Sequence, residues 1–152
     1  MTKTQIKEEL LEECREFIQQ RIDVSQKAMD SAQESANNET KSSAGDKFET
    51  GRAMMHAEVD KLARQLSESS RVKLLLEMVK PEMLYDQVRF GSVVKTDMAN
   101  YFIAISAGRI IVDEVKYYAI SPQAPLAVEM MQKKTGDTVS FNDKPMKILE
   151  VF

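Results

Sequence analysis

The first 44 residues hold neither glycine nor proline, and Gly45 is the first of either in the chain. This absence constrains the fold more than any other feature. Proline removes a backbone donor and glycine adds conformational freedom, so a stretch lacking both and rich in Glu, Gln, Lys, Ala and Leu can carry a helix unbroken. Leu11, Cys14, Ile18, Ile22, Ser25, Met29, Ala32 and Ala36 recur at steps of three and four, as one helix face requires. Ile6, Leu10, Phe17 and Val24 form a second stripe beside it, and Glu8, Glu12, Arg15, Glu16, Gln19 and Lys27 make a solvated side. The pattern predicts one amphipathic helix from Thr4 to about Ala36. From Asn37 to Gly45 the residues are polar, and Asn, Ser and Gly favour local turns over continuation.

After Gly45 the periodicity resumes with Met55, Val59, Leu62 and Leu66, and Leu74, Leu75, Leu76 and Met78 carry apolar content to Pro81. Two helices of roughly 30 residues each would run about 45–50 Å at the helical rise. Their stripes have nowhere to go except onto each other, and a short loop makes them antiparallel. Residues 1–80 are therefore expected to form an antiparallel coiled-coil hairpin with its tip near residues 37–49. Ala32 and Ala36 would let the helices approach closely there.

All four prolines lie after residue 80, as do all the aromatic residues except Phe17 and Phe48. β-Branched and aromatic runs separated by turn residues predict strands over Val88–Lys95, Tyr101–Ser106, Arg109–Val112, Tyr117–Ile120, Thr138–Phe141 and Met146–Val151. Pro125–Lys133 reads as one short helix, approached through Ser121-Pro122 and left through Thr135-Gly136-Asp137. The fold class is thus two-part, α followed by α+β: a helical hairpin, a linker at 81–86 with Pro81 as helix stop, and a module over 87–152 in which a small antiparallel sheet packs on one helix. Its expected core is Phe90, Phe102, Ile103, Ile105, Ile111, Val139, Ile148 and Leu149.

Several function classes fall away. Apolar residues make up 43% of the chain and charged residues 30%, enough for a core, and no apolar run approaches the roughly 18 residues of a membrane span. The acidic opening MTKTQIKEELLEE is not a secretory signal, so cytoplasmic residence is expected and no membrane partner. One cysteine, Cys14, and one histidine, His56, cannot close a structural zinc site of about four ligands. Cys14 falls on the apolar stripe and His56 reads as a surface or packing residue. A net charge of -3 argues against gripping duplex nucleic acid over the whole surface, so any nucleic acid is expected to be presented by a partner.

Three segments of the second half resemble the Gre-type bacterial transcript-cleavage factors. Val88-Arg89-Phe90-Gly91-Ser92-Val93-Val94 is similar to the family's opening strand, Ser121-Pro122-Gln123-Ala124-Pro125-Leu126-Ala127 to its Ser-Pro approach to a helix, and Met131–Val139 with Met146–Val151 to its closing segment, Gly136-Asp137 matching the family's Gly-Asp. In the first half Gly45-Asp46-Lys47-Phe48-Glu49 resembles the Gly-Asp-x-x-Glu of the family's coiled-coil tip. The resemblance implies a coiled coil followed by an FKBP-like domain. It further implies that the globular domain docks on RNA polymerase and the hairpin enters the secondary channel. The tip acids would then act on backtracked RNA, stimulating the polymerase's own nuclease, so that the chain is not itself an enzyme.

The chemistry suits those residue types. Two-metal phosphodiester hydrolysis needs carboxylates to hold a weakly bound Mg²⁺ and orient water, and residues three apart share a helix face. Asp46 and Glu49 could share that Mg²⁺ with the polymerase, no cofactor being held by the chain alone, and Glu39 offers a third acid; the expected order of importance is Asp46, Glu49, Glu39. Asp46-x-x-Glu49 is equally a helix capping box, and the two roles are compatible. Arg52 and Lys47 beside the tip, and Ser121 and Pro122 in the module, are candidate contacts to the nascent RNA 3′ end or to polymerase. After Glu49, however, Thr50-Gly51-Arg52 replaces the family's usual continuation. That departure leaves a second reading, a secondary-channel regulator that binds polymerase without cleavage. A third, an FKBP-like chaperone or prolyl isomerase, rests on Tyr101, Phe102, Tyr117 and Tyr118, which are also the expected content of a small sheet. Self-association through the coiled coil is a further possible partnership.

Overall fold

A computed structural model describes the backbone of residues 1–40 and 45–152 and the side chains of residues 1–38 and 50–152. The chain has the two-part fold that its sequence predicts. α1 (Lys3–Thr40) and α2 (Gly45–Leu76) form the helical hairpin. A six-stranded sheet with one short helix follows: β1 (Val93–Thr96), β2 (Asn100–Ile103), β3 (Gly108–Val112), β4 (Val115–Ile120), α3 (Pro125–Met130), β5 (Thr138–Phe141) and β6 (Lys144–Val151). Packing divides the chain into two compact units, Ile18–Lys73 on the one hand and Met1–Phe17 with Leu74–Phe152 on the other.

α1 opens on a capping box. The Gln5 amide donates to Thr2 Oγ1 at 3.1 Å and Gln5 Oε1 accepts from the Thr2 amide at 2.8 Å, satisfying donors that the first turn would leave free. The helix then runs through Asn37 and Asn38 to Thr40, past the predicted end at Ala36. Side-chain bonds four residues apart support it, including Gln33 Nε2 to Asn37 Oδ1 at 3.3 Å.

In the unit Ile18–Lys73 the predicted stripes face inward. Ile18, Ala32, Ala36 and Leu62 are buried, with Ile22, Ser25, Met29, Met55, Val59 and Leu66 half-buried. Lys73 Nζ donates to Gln19 Oε1 at 2.7 Å, which fixes the helices as antiparallel. Val24, assigned to the second stripe, is 62% exposed, because a two-helix contact has room for one seam only. α2 ends at Leu76, before Pro81, in a tight turn closed by the Met78 and Val79 amides.

The sheet order is β3-β4-β2-β1-β6-β5, with β2 and β4 parallel and the other pairs antiparallel. It is therefore mixed where the sequence pattern suggested antiparallel. β3 does not pair with β2; the two-residue turn Asp113-Glu114, both at positive φ, folds β4 back between them. Strand periodicity reports which residues face one side, not which strand lies alongside.

Segment ends differ for local reasons. The first strand starts at Val93, not Val88, because Gly91 at φ +88° and the bonds between Ser92 and Arg89 make a turn; only Gln87 bridges, to Lys134. A Cβ on Gly91 would also lie 3.6 Å from Val79 and 3.8 Å from Tyr85. α3 stops at Met130 rather than Lys133: Gln132 takes positive φ, and its amide pairs with Val88 O. Phe102, Ile103, Ile105, Val139 and Ile148 are core residues as predicted, whereas Phe90 is half-buried and Ile111 and Leu149 are 56% and 51% exposed. Ile110 and Val112 point inward on β3, so alternation sends Ile111 out.

One face of the sheet is covered in part by α3, which leaves Tyr118 and Ile111 exposed, and the other face is buried. α3 packs on one through Ala127 and Met130 against Val88, Val94, Ile103, Val139, Met146 and Ile148. On the opposite face Val93, Phe102, Tyr117 and Phe152 are buried, and the first turns of α1 reach the strands there, Lys3 Nζ lying 3.0 Å from Glu150 Oε1 and 5.5 Å from the Phe152 ring centre.

Candidate functional site

Asp46, Lys47 and Glu49 fall in the helical span of α2 and Glu39 in that of α1, and the side chains of all four lie outside the described residues. The nearest described side chains on α2 are exposed. Arg52 donates through Nε to Nε2 of His56, one turn on, at 3.3 Å, which makes His56 a surface residue and sets the guanidinium along the helix. Met54 is 65% exposed beside them. On α1, Ala36 is buried where the pattern placed a close approach. Among the described residues no three His, Cys, Asp or Glu groups come together as a metal site.

Ser121 and Pro122 form the turn ahead of α3, with both residues half-buried. Ser121 Oγ accepts the Gln123 amide at 3.1 Å and Ser121 O accepts the Ala124 amide at 3.0 Å. Ala124 caps the helix without a side-chain bond, and Pro125 supplies the pre-set φ of its first turn. The Ser-Pro step thus shapes the approach to α3 and leaves Gln123 as the exposed member of the turn.

One cluster escaped the sequence reading. Lys7 is fully buried, its Nζ donating to Met83 O and lying 4.5 Å from the centre of the Tyr85 ring. Arg89 places its guanidinium 4.5 Å from the same ring centre. The ring thus receives two cations, which holds the 83–89 segment against α1. Burial lowers the Lys7 pKa to about 8, against the pull of Glu82 and with a further push from Arg89. A signal was present: Lys7 lies four residues before Leu11 and continues the stripe 7, 11, 14, 18. Cys14, next on that stripe, is buried, and burial followed by the charge of Glu13 pushes its thiol up to about 12. A thiol so protonated is a poor nucleophile.

A second feature lies on the α3 face of the sheet. Met98, Tyr101, Leu126, Phe141, Met146 and Lys144 line a cleft of about 180 Å³. Tyr101 and Tyr118 meet with ring centres 6.2 Å apart and planes tilted by 40°. Burial, and then Tyr118, raise the Tyr101 pKa, so its hydroxyl stays protonated and neutral. Of the aromatic residues named from sequence, Phe102 and Tyr117 belong to the opposite, buried face and only Tyr101 and Tyr118 are open to a ligand. Among the described residues, no helix is long and apolar enough to cross a membrane.

No protein-family profile matches the sequence, and no curated protein matches it. Among solved structures, that of the transcription factor Gfh1 is similar at a TM-score of 0.39 with 13% sequence identity, over 90% of this chain and 92% of that one.

Proposed function

We propose that the protein is a Gre-like elongation factor that binds RNA polymerase, inserts its helical hairpin in the secondary channel and stimulates cleavage of backtracked RNA. The observation that carries this reading is a juxtaposition. Gly45-Asp46-x-x-Glu49 stands at the start of α2, where the hairpin turns back, and the three Gre-like segments of the second half fall at the approach to β1, the turn before α3 and the β5–β6 pair. Spacing of three on a helix suits two carboxylates to one Mg²⁺ supplied by the polymerase, where they would help hold the metal and the attacking water. Arg52, exposed one turn from Glu49, is the cation assigned to RNA phosphate in this reading. Docking is assigned to the module, including Ser121 and Pro122. The chain does not catalyse alone in this reading, because the remaining metal ligands belong to its partner.

A second reading keeps the docking and drops the cleavage. Thr50-Gly51-Arg52 after the second carboxylate favours it, and in the structure Arg52 turns along α2 toward His56. A stalled, backtracked elongation complex separates the two. Wild type is expected to shorten the RNA from its 3′ end, and the Asp46→Ala, Glu49→Ala double variant to lose about a hundredfold or more of that rate while still binding. Binding without shortening establishes the regulator instead.

A further inference from the structure

In the sheet order β3 stands at one end, paired with β4 alone among the described residues. Its backbone groups divide by residue. On β4 the Lys116 carbonyl accepts Asn100 Nδ2 at 3.2 Å and the Ile120 carbonyl accepts the Ala104 amide at 2.9 Å, so both face β2. The Ala119 carbonyl accepts the Ala107 amide at 3.3 Å on the β3 side. Alternation directs Tyr118 to β2 with Lys116, and Tyr117 to β3 with Ala119. Arg109 and Ile111, opposite Tyr118 and Lys116, therefore form the non-bonded pairs of the β3–β4 ladder and aim their amides and carbonyls away from the sheet. Neither makes another backbone hydrogen bond among the described residues. The space beside them is open: Arg109 is exposed, Ile111 is 56% exposed, and a Cβ added to Gly108 would meet nothing within 4 Å. The other end strand, β5, exposes the polar Thr138 and Ser140. β3 exposes an isoleucine instead, and it has no lysine, proline or bulge of the kind that keeps sheet edges apart.

We propose that β3 joins two copies of this chain: their β3 strands pair antiparallel about a two-fold axis through Ile110, with Arg109 of each copy opposite Ile111 of the other. Two features of the strand select a second copy. The first is register. Arg109 and Ile111 are the two residues with outward backbone groups, and this alignment sets each against the other so that amide and carbonyl are exchanged in both directions. Their side chains share one face, so the aliphatic stem of each Arg109 covers the exposed Ile111 across the seam. The second feature is charge. Each copy brings two cations, Arg109 and Lys116, and two acids, Asp113 and Glu114, all exposed. Asp113 lies 3.9 Å from the Met1 amino group and its side chain is 62% exposed, while Arg109 makes no ion pair among the described residues. Antiparallel pairing turns the cationic start of one strand toward the acidic end of the other, where Asp113 is the diagonal neighbour of Arg109, about 7–8 Å away and within its reach. Two strands of five residues bury little area, so the association is weak and depends on concentration. It is placed on the module, not on the coiled coil, and is independent of the polymerase reading.

Sedimentation equilibrium of the full chain from about 10 μM to about 1 mM tests the pairing, with amide hydrogen exchange followed residue by residue at both ends of that range. Wild type is expected to move from the 17.3 kDa monomer toward twice that mass. Over the same range exchange at the Arg109 and Ile111 amides is expected to slow about fivefold or more, while Ile110 and Val112, already bonded to β4, change by less than about twofold. Ile111→Lys and Arg109→Glu, both at exposed positions and with folding checked by urea unfolding, are expected to weaken association about tenfold or more, and Arg109→Lys to leave it within about threefold. A monomer throughout, or a dimer undiminished in both charge variants, overturns the pairing. So does a dimer in which the Arg109 and Ile111 amides exchange as fast as in the monomer. Slowing at those two amides only when core RNA polymerase is added to a monomeric chain would assign the edge to another protein and overturn the choice of a second copy.

Discussion

The Ile18–Lys73 unit of the hairpin and the sheet module bury their side chains differently. Among the described residues of Ile18–Lys73 the buried apolar side chains are Ile18, Ala32, Ala36 and Leu62, all on one seam between two helices. In the other unit Val88, Val93, Val94, Phe102, Ile103, Met130 and Ile148 are all at 0% exposure, in a sheet with one face buried and the other covered in part by α3. The difference teaches where stability resides. A two-helix seam gains little beyond partial burial and helix propensity, while a covered sheet has the cooperative core that resists opening. In the proposed function the hairpin is the reaching element and the module the dock.

The sharpest way to break this comparison is to cut a cavity in each unit. Phe102→Ala, at a site with no exposure, is expected to cost about 3–5 kcal/mol in urea unfolding, and Leu62→Ala, on the seam, about 2 kcal/mol or less. Equal costs would show that the hairpin is as tightly packed as the sheet.

The next effect comes from Lys7. Its pKa is about 8 when folded against the ordinary lysine value of 10.5, so between those values the unfolded chain holds more protons than the folded one. Stability therefore rises with pH through that window, by about 1–3 kcal/mol after allowance for the compensating hydrogen bond and ring contact. Cys14 acts in the opposite sense above its ordinary pKa of 9.0, since only the unfolded thiol ionises there. The difference between wild type and Lys7→Met, measured from pH 7 to pH 10.5, isolates the lysine: the variant is expected to lose the rise. A constant difference across that range would mean that Lys7 is charged when folded.

The smallest effects sharpen the comparison at its edges. Thr2→Ala removes the capping bond to Gln5 and is expected to cost about 1 kcal/mol. Ile111→Thr, on the uncovered face, is expected to stay within about 0.5 kcal/mol of wild type, although its composition reads as core. A loss of several kcal/mol at Ile111 would mean that the face is covered.

Much of this organisation can be read from residue spacing. The stripe from Leu11 to Ala36 and that from Met55 to Leu66 are long enough for the helical period to be unambiguous, and the structure buries or half-buries each of their members. In the module the strands are four to eight residues long, and their pairing is decided by turns such as Asp113-Glu114 and Gly91-Ser92, whose conformations depend on the packing around them. Hence the parallel β2–β4 pair and the outward Ile111 and Leu149 were not legible. Lys7 was hidden for another reason: a lysine within an apolar stripe reads as solvated, and only a distant carbonyl and an aromatic ring, brought in by residues 83–85, explain its burial. At the candidate sites, the tip acids stand out as a motif in the sequence. The cleft does not, because Met98, Tyr101, Leu126, Phe141 and Met146 come from separate elements and meet only through the sheet register.

In the proposed function the hairpin end, and not the module, reaches the polymerase active centre. Cys14 offers a quiet background for testing it, being fully buried with its thiol pushed up to about 12. Thr50→Cys and Ile111→Cys place single exposed thiols at the hairpin end and on the module. Each would carry a photoactivatable cross-linker into a backtracked elongation complex with a labelled RNA 3′ end. The account predicts that the label on Thr50→Cys attaches to the RNA 3′ end and that on Ile111→Cys does not; attachment from Ile111→Cys, or none from Thr50→Cys in a complex shown to be bound, would contradict it.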